Sequence, residues 1–205
     1  SLEGHWKRRL NGALDVFRSE PYFLEVVPCA IDKANTLGAL LEQLEHCQTP
    51  VVVDADALNI LANHRHALTH LPKGSILTPH PKELERLTGK CQDSYERLMK
   101  ACELARAAHV HIILKGAYSA IITPEGKCFF NPTGNPGMAT GGSGDVLTGV
   151  ILALLAQGYS TEEAAKIGTY IHGLAGDKAM EYVSKTSMMA TDIIEGIKIL
   201  FKGMR

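Results

Sequence analysis

Short apolar runs alternate with helix-like segments along most of this chain, and this alternation limits the possible folds more than any other feature. The runs at 51–53, 75–77 and 111–114 read VVV, SIL and HIIL. Runs without regular polar alternation are typical of strands buried on both faces of a parallel sheet. The segments between them have helical periodicity. The pattern therefore predicts an α/β layered domain with a mainly parallel central sheet.

Local signals mark where several of these elements begin and end. Pro81 at a first helical position and Gly89 beyond the last predict a helix over 81–88. Ser160 and Glu163 form a capping box that opens another helix, and 124–126 predicts a hairpin turn. The segment LGALLEQLEHC predicts a further helix. Residues 1–36 show no clean period, so we expect an unassigned segment over 1–36 and one domain over 37–205.

Composition excludes several classes of protein. The 205 residues carry a net charge of -1 and no long basic run, which argues against a nucleic-acid partner. Five cysteines without C-x-x-C spacing predict reduced thiols in a cytoplasmic protein. The longest apolar stretch is shorter than the roughly 20 residues that span a bilayer, so we expect no membrane association.

The glycine-rich stretch at 131–149, NPTGNPGMATGGSGDVLTG, carries a single charge, on Asp145. It directly precedes an apolar helix predicted from about Asp145 to Gln157. Backbone N–H groups at a helix start are unpaired and attract anions, and glycines let a phosphate approach them closely. An aspartate beside such a cradle suits a general base or a metal-linked group. The predicted anion hole comprises Gly141, Gly142, Ser143 and Gly144.

Another interpretation of this stretch stays open. It is also typical of a tight loop that enters a buried helix, with Asp145 as the cap. G-x-G-D is neither a Walker A loop nor the Rossmann fingerprint, so its spacing alone indicates an anion site and phosphoryl transfer at most. Lys115 follows a predicted strand and is either a charge partner for phosphates or a solvent-exposed strand end.

Five motifs together resemble the ADP/ATP-dependent NAD(P)H-hydrate dehydratases, the YjeF carboxy-terminal domain family of the ribokinase-like superfamily. The resemblance covers roughly 37–194 and rests on NPGMATGGSGDVL, VVVDADALNIL, LTPHPKEL, LKGAYS and HGLAGDKA. It implies a ribokinase-like fold and repair of hydrated NADH and NADPH. The family phosphorylates the added ring hydroxyl with ADP or ATP, together with Mg²⁺, and then eliminates phosphate.

The resemblance also assigns roles to individual residues. Asp145 is implied as the base on the ring hydroxyl, and His80 and Asn59 as further contacts with the hydrated dinucleotide. Without the resemblance, a lone histidine between two prolines such as His80 is more often a loop residue or a helix cap than a functional residue. Asp54 and Asp56 are expected to face the cleft and orient substrate or water. No protein metal ligand is predicted. The implied nucleotide-binding residues are Lys115, Gly116, Ala117, Tyr118, Ser119, Gly142, Ser143 and Gly144.

The amino-terminal part departs from the family pattern. The family begins with a glycine-rich strand and helix and carries a later GPGLG-type turn, whereas this chain has VVPCAIDKANT at 26–36. We therefore expect a complete nucleotide half and an incomplete substrate half, in a truncated or shortened homologue. Uncovered apolar surface predicts a homo-oligomer. The alternatives are a ribokinase-like small-molecule kinase and a catalytically impaired nucleotide-binding homologue.

Overall fold

A computed structural model describes residues 14–20, 23–28 and 47–203. The chain divides into two compact units, Ser1–His46 and Cys47–Arg205. In the first unit, strand β1 (Leu14–Glu20) pairs antiparallel with β2 (Phe23–Pro28), with Leu14 opposite Pro28. A hairpin thus lies within the stretch that the sequence leaves unassigned. The helix predicted at 37–47 lies outside the described residues except for Cys47, which is not helical.

The second unit contains a five-stranded sheet in the order β3-β4-β5-β6-β7. Strands β3, β4 and β5 are mutually parallel, and β6 and β7 extend the sheet in antiparallel pairs. This confirms the predicted parallel strands. The hairpin turn is also confirmed, with the Thr123 N–H donating to the Lys127 carbonyl at 2.9 Å. The strands are β3 (Val52–Val53), β4 (Ile76–Leu77), β5 (His111–Leu114), β6 (Ala120–Ile122) and β7 (Cys128–Phe130).

Within residues 47–203 of the second unit, six α-helices connect and cover these strands. The predicted signals at Pro81, Gly89 and Ser160 are confirmed, the last as a complete capping box. The helix after the glycine loop begins at Ser143, two residues earlier than predicted, because Gly142 turns the chain in a left-handed conformation (φ 83°). The helices are α1 (Ala55–Asn63), α2 (Pro81–Thr88), α3 (Ser94–Ala108), α4 (Ser143–Ala156), α5 (Thr161–Ala179) and α6 (Ala190–Gly203).

The core has a helical layer on the sheet. Ile76, Ile113 and Ile121 of three adjacent strands pack against Leu147 and Ile151 of α4. Ile112 and Ile122 alternate with these strand residues and are also completely buried. Because successive strand residues point to opposite faces, the sheet is buried on both sides, as a parallel strand run of this kind requires. No helix within the described part of the chain is long and apolar enough to cross a membrane.

Helix α5 packs closely against α6 through a glycine contact. A Cβ added at Gly196 would overlap the carbonyl of Ala175 and lie 3.1 Å from its Cα. The two backbones therefore approach each other at a point where no side chain fits. Ile193 and Met188 are buried beside this contact, in a small cluster with Ala175 and Ala179.

We expect Gly196→Ala to lower the free energy of unfolding by about 2 kcal/mol or more, because the added methyl forces α5 and α6 apart. Urea unfolding measures this change. The matched control is Gly149→Ala on α4, where no described atom lies within 4 Å of the new Cβ. That control should be neutral or stabilising by up to about 1 kcal/mol. Equal stability of the two variants would show that the α5–α6 contact tolerates a side chain.

Candidate functional site

The parallel register brings the residues that follow three strands to one edge of the sheet. The Thr78 N–H donates to the Val53 carbonyl at 3.0 Å, and the Lys115 N–H donates to the Pro79 carbonyl at 2.9 Å. These bonds continue the strand ladders beyond the last strand residues. Asp54, which follows β3, is thereby placed in the same row as the residues after β4 and β5. Carboxyl ends of parallel strands are where ligands bind in α/β folds.

An ion pair joins two of these strand ends. Lys115 Nζ donates to Asp54 Oδ1 at 2.7 Å, and the Asp54 side chain is only 10% exposed. Burial by itself raises the pKa of the Asp54 carboxyl, but the hydrogen bond and charge of Lys115 outweigh burial and leave that pKa below its ordinary value. Asp54 is therefore ionised at neutral pH and is a poor acceptor for a substrate proton.

The start of α4 lies directly against this ion pair. A Cβ at Gly144 would lie 3.1 Å from Asp54 Oδ2 and 3.4 Å from Lys115 Nζ. Thr148, one turn further along α4, donates from its hydroxyl to Asp54 Oδ2 at 3.3 Å. The glycine loop and the two strand ends thus share one small region. Thr148 carries no sequence signal beyond its spacing of four residues from Gly144, which places both on one helix face.

Asp145 differs sharply from Asp54 although both lie near the start of α4. Asp145 is exposed in the first turn of the helix, and within residues 47–203 it has no hydrogen-bond or ion-pair partner. It is not the cap, because that position belongs to Gly142. Two carboxylates in such different environments suit different roles. Asp145 is the one whose carboxylate is not engaged by any described residue.

His80 caps α2 and is linked to Lys115 through a buried glutamate. Its Nδ1 accepts from the Lys82 and Glu83 N–H groups at 3.1 and 3.2 Å. Glu83 Oε2 accepts from the His80 N–H at 2.7 Å and lies 3.9 Å from Lys115 Nζ. Sequence reasoning missed Glu83, whose only signal is its capping-box spacing from His80.

Asn59 and the KGAYS segment lie at the margins of this cluster. Asn59 Oδ1 accepts from Arg86 at 2.6 Å and its amide donates to Asp56 at 3.2 Å, so neither bond reaches Lys115. Gly116, Ala117 and Tyr118 are exposed, and the Gly116 N–H donates to Ser119 Oγ at 3.3 Å. Tyr118 has φ 56°, an uncommon conformation for a residue with a side chain. These residues form an exposed loop beside the ion pair.

His172 of α5 binds the backbone of the glycine loop at Ser143. Its ring is buried, and Nε2 donates to the Ser143 carbonyl at 2.9 Å. Burial lowers the pKa of His172 to about 4, although the hydrogen bond to Ser143 opposes this and the charge of Lys115 adds to it. The ring is therefore neutral at pH 7, with its proton on Nε2.

Taken together, these features define an α/β protein whose glycine loop, helix start and half-buried lysine form a candidate anion site beside a free carboxylate. The sequence profile of the NAD(P)H-hydrate dehydratase family matches residues 30–198. This chain belongs to that family.

Two proteins that act on NAD(P)H-hydrate are similar to this chain in sequence. The bifunctional NAD(P)H-hydrate repair enzyme of Moorella thermoacetica is 44% identical over 173 residues, which are 82% of this chain and 32% of that protein. The ADP-dependent (S)-NAD(P)H-hydrate dehydratase of Neisseria meningitidis serogroup B is 41% identical over 164 residues, 76% of this chain and 55% of that protein. This chain thus spans between a third and about half of the length of these curated relatives.

A solved structure shares the fold. The ADP/ATP-dependent NAD(P)H-hydrate dehydratase of Bacillus subtilis, co-crystallised with ATP/Mg²⁺, superposes with a TM-score of 0.72 at 28% identity. The match covers 85% of this chain and 62% of that one. The predicted ribokinase-like α/β fold is confirmed.

We expect the stability of the fold to fall as pH drops below about 6.5, in part because of His172. The unfolded chain protonates this ring near its ordinary pKa, whereas burial in the fold delays protonation to about 4. The neutral His172 ring contributes fully to the stability of the fold above about pH 6.5, and this contribution is lost as pH falls toward 4. Between about pH 7.5 and about pH 5 the loss amounts to on the order of 2 kcal/mol.

His172→Gln isolates this contribution, because the amide can still donate to Ser143 but does not titrate. Urea unfolding of both proteins at the two pH values gives the comparison, and the stability of the variant should change less with pH by that amount. Identical pH dependence in the two proteins would mean that His172 protonates as easily in the fold as in the unfolded chain.

Proposed function

We propose that this chain dehydrates hydrated NADH and NADPH, using ADP or ATP with Mg²⁺, and so restores the reduced dinucleotide. The observation that carries this proposal is the free carboxylate of Asp145 at the start of a glycine-lined helix beside Lys115. The two similar proteins described above are an NAD(P)H-hydrate repair enzyme and an NAD(P)H-hydrate dehydratase. We further propose that residues 37–205 form the catalytic domain.

The phosphates of the nucleotide fit the start of α4. A side chain at Gly144 would fill the space against Asp54 and Lys115, and no described atom lies within 4 Å of a Cβ placed at Gly141. The Ser143 N–H donates to the Thr140 carbonyl at 3.3 Å, so the Gly142 and Gly144 N–H groups are those that this helix start leaves for an anion. Lys115 supplies the opposite charge. The exposed loop of Gly116, Ala117, Tyr118 and Ser119 is proposed to contact the rest of the nucleotide.

Mg²⁺ bound with the nucleotide would neutralise phosphate charge. No group of three or more His, Cys, Asp or Glu side chains in the described part of the chain is arranged to hold a metal. We propose that the ion is held largely by the phosphate oxygens of the nucleotide, as Mg²⁺ commonly is.

The reaction follows from the two different carboxylates. Asp145 accepts the proton of the added ring hydroxyl, and that oxygen bonds to the terminal phosphorus as the bond to the bridging oxygen breaks. Lys115 and the N–H groups of the glycine loop offset the charge on the transferring group. The carbon–oxygen bond then breaks, with phosphate taking the electron pair and the ring nitrogen supplying electrons. Transfer of a proton from the neighbouring carbon to the released phosphate restores the double bond.

His80 and Asn59 are proposed to contact the hydrated dinucleotide. His80 presents its ring at the edge where Asp54 and Lys115 lie, held there by the cap of α2 and by Glu83. Asn59 is half-buried on α1 and is joined to α2 by Arg86.

We also propose that the chain acts in the cytoplasm as a homo-oligomer. Phe201 and Met189, in and beside α6, are 51% and 59% exposed, which leaves apolar surface for a second copy. A monomer by sedimentation at micromolar concentration would contradict the oligomer.

Asp145→Asn should reduce turnover of hydrated NADH at least about 100-fold while leaving ADP affinity unchanged within about threefold, because only the base is lost. Absorbance of reduced nicotinamide measures turnover, and calorimetry measures binding. Glu103→Gln, which neutralises an exposed carboxylate on α3, is the control for net charge. Turnover that survives in Asp145→Asn would remove this residue from the mechanism.

Gly144→Val should weaken ADP binding at least about tenfold, because its side chain enters the space between the helix start and the Asp54–Lys115 pair. Gly149→Val makes the same replacement on an exposed part of the same helix and should bind ADP like the unaltered chain. If both variants bind ADP equally well, the phosphates do not occupy the start of α4.

A further inference from the structure

Each oxygen of the Asp54 carboxylate has a hydrogen bond that reaches the Lys115–α4 region. The carboxylate also accepts from the Thr78 hydroxyl and from the N–H of the adjacent Ala55. Oδ1 accepts from Lys115 Nζ at 2.7 Å, and Oδ2 accepts from Thr148 at 3.3 Å. Oδ2 also faces Gly144. Both carboxylate oxygens are thus directed at groups proposed to surround the transferring phosphoryl group.

This orientation is unusual for the position that Asp54 occupies. Asp54 is the N-cap of α1, where an aspartate ordinarily accepts from the helix N–H groups, yet its side chain makes no capping hydrogen bond. The next residue, Ala55, has φ 48°, in the left-handed region that residues with side chains rarely adopt. A strained backbone and an unused cap together indicate that the carboxylate is held for another purpose.

The charges around Asp54 indicate what its carboxylate is held for. A carboxylate this close to the start of α4 repels an incoming phosphate, so it does not bind the nucleotide directly. Lys115 faces two carboxylates, Asp54 and Glu83, and its charge also reaches the buried ring of His172. Glu83 is already engaged by the backbone and ring of His80. Asp54 is therefore the carboxylate that fixes the position of the ammonium group.

We infer that Asp54 is a positioning residue that holds the Lys115 ammonium beside Gly144, ready for the phosphoryl group as it transfers. The role in transfer depends on the proposed dehydratase function, whereas the holding of Lys115 does not. Thr148 supports Asp54 from α4, so the strand end and the helix are joined through one carboxylate.

Two measurements on Asp54→Asn test this inference, with Glu103→Gln as the matched change of net charge. The first is the rate at which a trace lysine acylating reagent modifies Lys115, followed by mass spectrometry with the exposed Lys73 as internal reference. Loss of the partner carboxylate should raise the Lys115 rate by about fivefold or more, and Glu103→Gln should not change it. Thr148→Val should give a smaller increase. This readout needs no enzymatic activity.

The second measurement is the division of the effect between kcat and KM for the nucleotide. Asp54→Asn should lower kcat at least about tenfold, because a misplaced cation serves the transition state poorly. The nucleotide KM should stay within about threefold of the unaltered value. The Lys115 ammonium is less well positioned in the variant, but the repulsion between the Asp54 carboxylate and the phosphates is also lost. Lys115→Met with and without Asp54→Asn completes a double-mutant cycle, in which Asp54→Asn has no further effect on kcat once Lys115 is gone.

Failure of the inference about Asp54 and failure of the proposed function give different results. Unchanged labelling of Lys115 in Asp54→Asn would overturn the inference whatever the activity. Equal losses from Asp54→Asn in the presence and absence of Lys115 would also overturn it, because Asp54 would then act by another route. If the unaltered chain does not turn over hydrated NADH, the proposed function fails, and the labelling result alone decides whether Asp54 holds Lys115.

Discussion

The parallel register of β3, β4 and β5 is the constraint on which the rest of the site depends. It places Asp54, His80 and Lys115 at one edge of the sheet, although they come from separate parts of the chain. A shift of one residue in any of these strands would turn the following side chain to the other face. The ion pair of Asp54 with Lys115 exists because this register is maintained by buried isoleucines on both faces of the sheet.

Close packing of helices fixes the remaining wall of the site. Helix α4 rests on the sheet, and α5 passes behind it closely enough that a Cβ at Gly168 would lie 2.8 Å from the Ile151 side chain. The loop before α4 is tied to α5 by Asp177, which accepts from the Gly134 N–H at 2.8 Å and from the Asn135 amide at 3.0 Å. His172 adds the bond to Ser143. The glycine loop is therefore rigidly supported although it is rich in glycine, which favours a preorganised anion site.

Much of the fold could be predicted because its signals are local. Pro81, Gly89 and the Ser160 capping box mark helix ends by short-range chemistry, and β-branched runs mark buried strands. The sequence predicts the start of α4 two residues too late, because the true start depends on the left-handed turn at Gly142, which composition alone does not locate. The pairing of Asp54 with Lys115 spans 61 residues, and Thr148 joins it from still further along the chain. Such contacts depend on tertiary packing and leave no periodic trace in the sequence.

We propose that phosphoryl transfer by this chain ends in elimination and not in a stable phosphorylated product. The most direct test follows reduced nicotinamide and inorganic phosphate together when this chain is mixed with hydrated NADH, Mg²⁺ and ADP or ATP. We expect both products to appear at the same rate and in equal amounts, and only when nucleotide is present. Consumption of nucleotide without release of phosphate or recovery of reduced nicotinamide would indicate a kinase that keeps its product, and no consumption at all would indicate a nucleotide-binding homologue without catalysis.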